Sequence, residues 1–205
     1  MLPFFPLNVV VFPDQKFNIH VFEPRYRELL KDCLAHKTNF CIPSYVHNRI
    51  EYGTEMELVK VERTYQDGRA DIKTVGKRVV KIENMNNPYQ DKKYAMGEVR
   101  FLQNIENGDV FLSQKIMEAL DELFTLIEVE PFKIGEGFTV FSIAHKIGLS
   151  KDAEYKLLQI AEERMRQRFL LDHLNVIIPK LKDVARAKAR IKMNGHFVKH
   201  DPLEF

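Results

Sequence analysis

The pattern of apolar and polar positions changes character part-way along the chain. Val9 to Phe12 is a continuous apolar run closed by Pro13, which predicts a strand covered on both faces. Phe17, Ile19 and Val21 alternate with Asn18 and His20, which predicts a half-buried strand. Glu23-Pro24 then opens a helix, with proline at the first helical position, where its missing N–H is no loss. Tyr26, Leu29, Leu30 and Cys33 form the apolar stripe of that helix, and Glu23 is placed to stabilise its start. Further strands are expected at 39–43, stopped by Pro43, and at 55–64 and 69–75, joined by a two-residue Asp67-Gly68 hairpin turn. Gly76 marks a bulge or corner before a strand over 78–83, Asn84 to Pro88 is a loop, and 94–102 reads as one more strand.

After Asn107-Gly108-Asp109 the period becomes helical. Ile116, Ala119, Leu120, Leu123, Phe124 and Ile127 make one amphipathic stripe. Val140 to Ile147 predicts a short helix with Gly148 as its C-cap, and Ser150 is a good N-cap for the next. That helical signal runs to Ile178, but its stripe drifts between Ala161 and Arg166, so two helices are expected to meet there. Pro179 is expected to break the run before a last helix ending at Asn194-Gly195. Strands followed by helices predict an α+β chain, with a β subdomain over 1–106 and a helical subdomain over 107–205.

Composition narrows the function classes. A net charge of +2 over 205 residues gives no global field toward nucleic acid or anionic lipid. No stretch is apolar enough to span a bilayer, and Pro3 and Pro6 interrupt the N-terminal apolar run, which argues against a leader and for a cytoplasmic setting. Two cysteines, Cys33 and Cys41, predict buried thiols rather than a disulfide framework. The phosphate loop G-x-x-x-x-G-K-[ST] is absent, as are G-x-S-x-G, H-E-x-x-H and C-x-x-C, so neither catalytic residues, metal ligands nor a cofactor site are assigned. His196 and His200, four apart, read as part of a tail. The strongest charge signal is Lys180, Lys182, Arg186, Lys188, Arg190 and Lys192, which face only Asp183. Solvation, or pairing with acidic residues such as Glu118, Asp121 and Glu122, is the expected fate of these cations; Arg186, Lys188, Arg190 and Lys192 are the candidates for an RNA-binding alternative.

The opening motif carries a resemblance. Phe5-Pro6-Leu7-Asn8-Val9-Val10-Val11-Phe12-Pro13, followed by His20-Val21-Phe22-Glu23-Pro24-Arg25-Tyr26-Arg27, resembles the start of the Lon N-terminal (substrate-binding) domain family. Gly53-Thr54, Asp67-Gly68-Arg69, Gly76-Lys77-Arg78, Pro88-Tyr89 and Leu149-Ser150 extend the likeness over nearly the whole chain. Asp14 stands where many members have glycine, and Val21 where isoleucine is commoner. The resemblance implies a PUA-like β-barrel followed by a small helical bundle, without the ATPase and Ser–Lys protease modules of full Lon. It also implies a non-enzymatic module that binds unfolded or exposed protein segments, an adaptor in proteolysis whose partner would be a protease or chaperone. Monomer or weak homodimer is the expected state. Phe12 and Phe22, each followed within two residues by a proline, are the peptide-contact candidates, with Arg25 and Tyr26 after the second of them.

Overall fold

Strand pairing in the computed structural model, which describes residues 1–46, 50–135 and 137–195, is concentrated in the first hundred residues. The order is β1 (Leu2–Phe4), β2 (Lys16–Val21), α1 (Pro24–His36), β3 (Phe40–Pro43), β4 (Tyr52–Thr64), β5 (Ala70–Ile82), β6 (Ala95–Gly97) and β7 (Val99–Phe101). Helices α2 (Val110–Ile127), α3 (Val140–Ala144), α4 (Lys151–Leu158) and α5 (Glu163–Gly195) follow. The strands join one mixed sheet in the order β2-β5-β4-β3-β1-β6, with β7 on β5. The α+β order expected from the sequence is what the fold shows.

Two compact units emerge: Met1–Asn107 with Glu136–Arg166, and Gly108–Gly135 with Gln167–Phe205. The first unit runs unbroken to Asn107 and takes in helices α3 and α4.

Several local expectations are corrected. Val9 to Phe12 is not a strand but a buried irregular segment. Its polar groups are met by side chains and by the next turn: the Phe12 amide donates to Gln15 Oε1 (2.9 Å), and the Thr54 hydroxyl donates to the Val11 carbonyl. Asp14 then takes φ 62°, a glycine-like conformation that a short polar side chain tolerates. Its amide donates to the Gly76 carbonyl (2.9 Å) and the Gly76 amide donates to Gln15 (3.0 Å). This docking explains Gly76, since a Cβ there would lie 2.2 Å from the Phe12 carbonyl oxygen. The bulge is real as well: Glu55 faces Arg78 and Met56 faces Gly76, leaving Lys77 unopposed.

The β4–β5 hairpin closes with three residues, not two. The Tyr65 amide donates to the Arg69 carbonyl (2.9 Å) and Gly68 (φ 83°) donates back to Tyr65 (3.0 Å), a turn ending in a left-handed glycine. The strand expected over 94–102 is cut in two at Glu98. The Glu98 amide donates to Asn84 Oδ1 (3.0 Å) and its carbonyl accepts from Glu83 (3.0 Å), so pairing switches from β1 to β5. Gly148 (φ 71°) lies beyond the end of α3, whose C-cap is His145. Pro179 does not end a helix but sits inside α5. Proline leaves the carbonyl of Asn175 without its helical donor; both residues are exposed, so water can serve that carbonyl.

The stripe break between Ala161 and Arg166 is where α4 gives way to α5, and it contains a buried ion pair. Arg166 is 1% exposed and Glu163 3%. Arg166 Nε donates to Glu163 (2.7 Å), Nη1 to the carbonyls of Ile160 (3.0 Å) and Ala161 (3.2 Å), and Nη2 to Asn104 Oδ1 (2.7 Å). The other Glu163 oxygen accepts the Val140 amide (2.7 Å) at the start of α3. The guanidinium lies 4.0 Å from the Phe141 ring, which stacks on Phe12.

Removing one partner of such a pair strands the other. Arg166→Ala is expected to lower stability by about 3–5 kcal/mol. The joint Arg166→Met, Glu163→Leu variant should recover much of that loss. Denaturant midpoints of the three proteins check it; equal losses in both variants would show that packing, and not an uncompensated charge, sets the effect.

Candidate functional site

Strand β2 forms the sheet edge: it pairs with β5, and no other strand among the described residues covers its second side. Its alternation works as written. Ile19 and Val21 face the core, while Lys16, Asn18 and His20 are exposed. In register, His20 stands opposite Asp71 and Asp71 opposite Arg63, so one row crosses three strands on the outer face.

Polar and aromatic groups in this row lock together. His20 Nδ1 lies 2.6 Å from Asp71 Oδ1, and the Tyr65 hydroxyl donates to Asp71 Oδ2 (2.7 Å). The hydrogen bonds from His20 and then Tyr65 hold the Asp71 carboxyl below its ordinary range, against a smaller effect of desolvation. Bonding to that carboxylate raises Tyr65 in turn. The guanidinium groups of Arg63 and Arg69 lie 4.6 and 5.2 Å from the Tyr65 ring. Where β2 ends, Phe22 extends the strip: its ring stacks on His20 at 6.1 Å and is 58% exposed. An open backbone edge thus ends in an exposed phenylalanine set among stacked aromatic and guanidinium groups.

The next residues were expected to share this surface, and the fold divides them. Arg25 is exposed and bonded to Glu23 through Nε (2.9 Å) and Nη2 (2.8 Å). Tyr26, 5% exposed, stacks face to face on Phe5 at 3.8 Å, and burial raises its hydroxyl pKa. Phe12 is fully buried against Phe141. Phe4 and Phe5 are core as well, and Phe17 is half-buried. Of the two phenylalanines named as contact candidates, Phe22 is the exposed one. Glu23 makes no side-chain cap on α1; its carboxylate serves Arg25 instead. Its removal should accordingly cost less than a lost cap would.

Comparison with known proteins now bears on this arrangement. Residues 1–187 match the family model described as the ATP-dependent protease La (LON) substrate-binding domain. The chain belongs to the LON substrate-binding domain family. Among solved structures, a Lon N-terminal domain protein from Xanthomonas campestris is similar over 83% of this chain and 96% of its own, with 22% identity and a TM-score of 0.62. The N-terminal domain of the Mycobacterium avium complex Lon protease matches over 85% and 97%, with 14% identity and a TM-score of 0.61. At these identities the likeness speaks for the fold.

The other candidate residues of this LON-family domain lie in its second unit, on α5. Lys182 pairs with Glu122 of α2, and Arg186 lies 3.6 Å from Asp183. Lys180, Lys188 and Arg190 have no carboxylate within ion-pair distance among the described residues. The side chain of Lys192, and His196 and His200 entirely, fall outside the described residues. Among the described residues no group of three or more His, Cys, Asp or Glu side chains could hold a metal ion, and no helix is long and apolar enough to cross a membrane. Burial pushes the Cys33 thiol up to about 11 and Cys41 higher still, which keeps both protonated at neutral pH.

Sequence reasoning found the Phe22 end of the strip through its motif but missed Tyr65, Arg63 and Asp71. A signal existed for part of it: Arg63 and Asp71 are polar positions on the two strands of one hairpin, whose register sets them opposite, whereas His20 reaches Asp71 only through the long-range pairing of β2 with β5.

The Asp71 bond makes a pH prediction. A tyrosine with a raised folded pKa stabilises the fold below its unfolded value and loses that contribution as pH rises through the folded one. In Asp71→Asn the ionisation of Tyr65 should move down toward an ordinary tyrosine's. Ultraviolet difference titration of tyrosinate checks this, with Tyr65→Phe to assign the signal; an unmoved titration would place the cause elsewhere than Asp71.

Proposed function

We propose that the β-rich unit binds exposed or unfolded segments of other proteins at the end of β2, without catalysing a reaction. The observation that carries this reading is Phe22: a large apolar side chain held 58% exposed at the tip of a strand whose outer edge is unpaired, in a chain of the LON substrate-binding family. An extended client offers what this place lacks, namely backbone groups for the open edge and apolar side chains for Phe22. Arg63, over the Tyr65 ring, offers a planar donor suited to a carboxylate on the same client, whereas Arg25 and Arg69 already pair with Glu23 and Asp67. The domain then acts as an adaptor that presents clients to a protease or chaperone. Among the described residues nothing resembles a phosphate loop, and ATP turnover by the purified protein is not expected.

The test measures binding of a reduced, unfolded test protein. Phe22→Ser, at an exposed position, should fold normally and weaken binding about tenfold, the scale of one lost apolar anchor. The triple variant Arg186→Glu, Lys188→Glu, Arg190→Glu should bind as the parent does. The reverse result would place recognition on the basic helix and favour the RNA-binding alternative, whose affinity would also fall steeply with salt.

A further inference from the structure

Helix α5 carries an apolar stripe that changes character along its length. Leu170, Leu174 and Ile178 are buried. The stripe continues at helical spacing through Leu181, Val184 and Ile191, interrupted by Lys188, about 15 Å more of helix. Yet Val184 is 50% exposed and Ile191 71%. Alongside, α2 stops at Ile127, with Glu128 turned into the left-handed conformation. Leu126, Ile127 and Glu128 make one wall of an open groove of about 500 Å³ floored by Leu181, Val184, Ala185 and Ala189, with Lys188 at its edge. Among the described residues no second wall faces it.

Charge indicates what would supply it. From Lys180 to Ile191 the helix bears Lys180, Lys182, Arg186, Lys188 and Arg190 against the single carboxylate of Asp183. Glu122 takes up Lys182, while Lys180, Lys188 and Arg190 have no carboxylate partner among the described residues. A second copy of this helix would bring the same cations and be repelled. Nucleic acid would answer the charges but leave Val184 and Ile191 in water. A lipid surface favours a broad face of bulky Phe, Leu or Trp, whereas this floor sets a single leucine, Leu181, beside Val184, Ala185 and Ala189, small enough to let another helix backbone come close.

We propose that this groove docks an acidic amphipathic helix of a partner protein. Its apolar residues, at three- and four-residue spacing, lie along Leu181, Val184 and Ile191, and its Asp or Glu side chains reach Lys188 and Arg190. The site is separate from the client surface at Phe22 and does not depend on it.

The probe is a labelled peptide of about 18 residues built from Glu, Ala and Leu, long enough to hold an amphipathic helix. Its binding to the full chain is read by fluorescence anisotropy. Saturable binding is expected, weakened at least about tenfold by Lys188→Glu with Arg190→Glu, and separately by Val184→Ser with Ile191→Ser. All four positions are exposed, and an unchanged thermal melt confirms folding. The same peptide with a central proline should bind more weakly. Absence of saturable binding overturns the proposal, as does equal binding of the proline peptide. So does binding that needs the cations but ignores Val184 and Ile191, or tighter, cation-dependent binding of a single-stranded RNA oligonucleotide or of anionic vesicles; these would assign the face to a polyanion.

Discussion

A buried guanidinium is tolerable only when its donors are met, and the β-rich unit is arranged around meeting those of Arg166. Its partners come from four separated places: Glu163 one turn back, the carbonyls of Ile160 and Ala161, Asn104 after β7, and the face of Phe141. Through Glu163 the same knot holds the first amide of α3. Two backbone bonds, from Ile105 to Ala161 and from Glu163 to Ile105 (2.9 Å each), run beside it. In a low-dielectric site these bonds stand or fall together. They explain why residues 136–166, helical in sequence, pack with the strands.

The knot also reaches the opening motif. Phe141, held under Arg166, covers Phe12, and the turn after Phe12 docks on Gly76 at the bulge of β5. Beyond that turn the chain enters β2, which pairs with β5 and leaves its other edge open. An unpaired edge is a hazard that proteins usually blunt with charge. Here the outer face carries Lys16 and His20, yet the strand ends in exposed Phe22. Keeping such an edge beside an exposed aromatic side chain fits a surface meant for other chains.

Much of this was legible in residue order, and the limits are instructive. Phe12 and Phe22 stand in the same motif, each followed within two residues by proline, and no local pattern separates them. What does is Phe141, far along the chain, which covers one and not the other. Tyr26 lost its place at the surface to Phe5 in the same way. The strip residues Tyr65, Asp71 and Arg63 were invisible as a group because their nearness depends on strand register, which a three-residue turn rather than a two-residue one sets.

Periodicity alone determined where helices and most strands lie, because burying one face of an element imposes a 3.6- or 2-residue repeat on the chain that forms it. It also determined the proline start of α1 and the Ser150 cap of α4, since both act within a single turn. Tertiary structure decided the rest. It made Val9 to Phe12 a buried crossing rather than a strand, let α5 run through Pro179, and turned a drift in a helical stripe into a buried Arg166 whose donors reach Asn104. In each case the deciding partner is distant in sequence or is solvent, and a repeat read along one segment records that a face is buried but not what buries it.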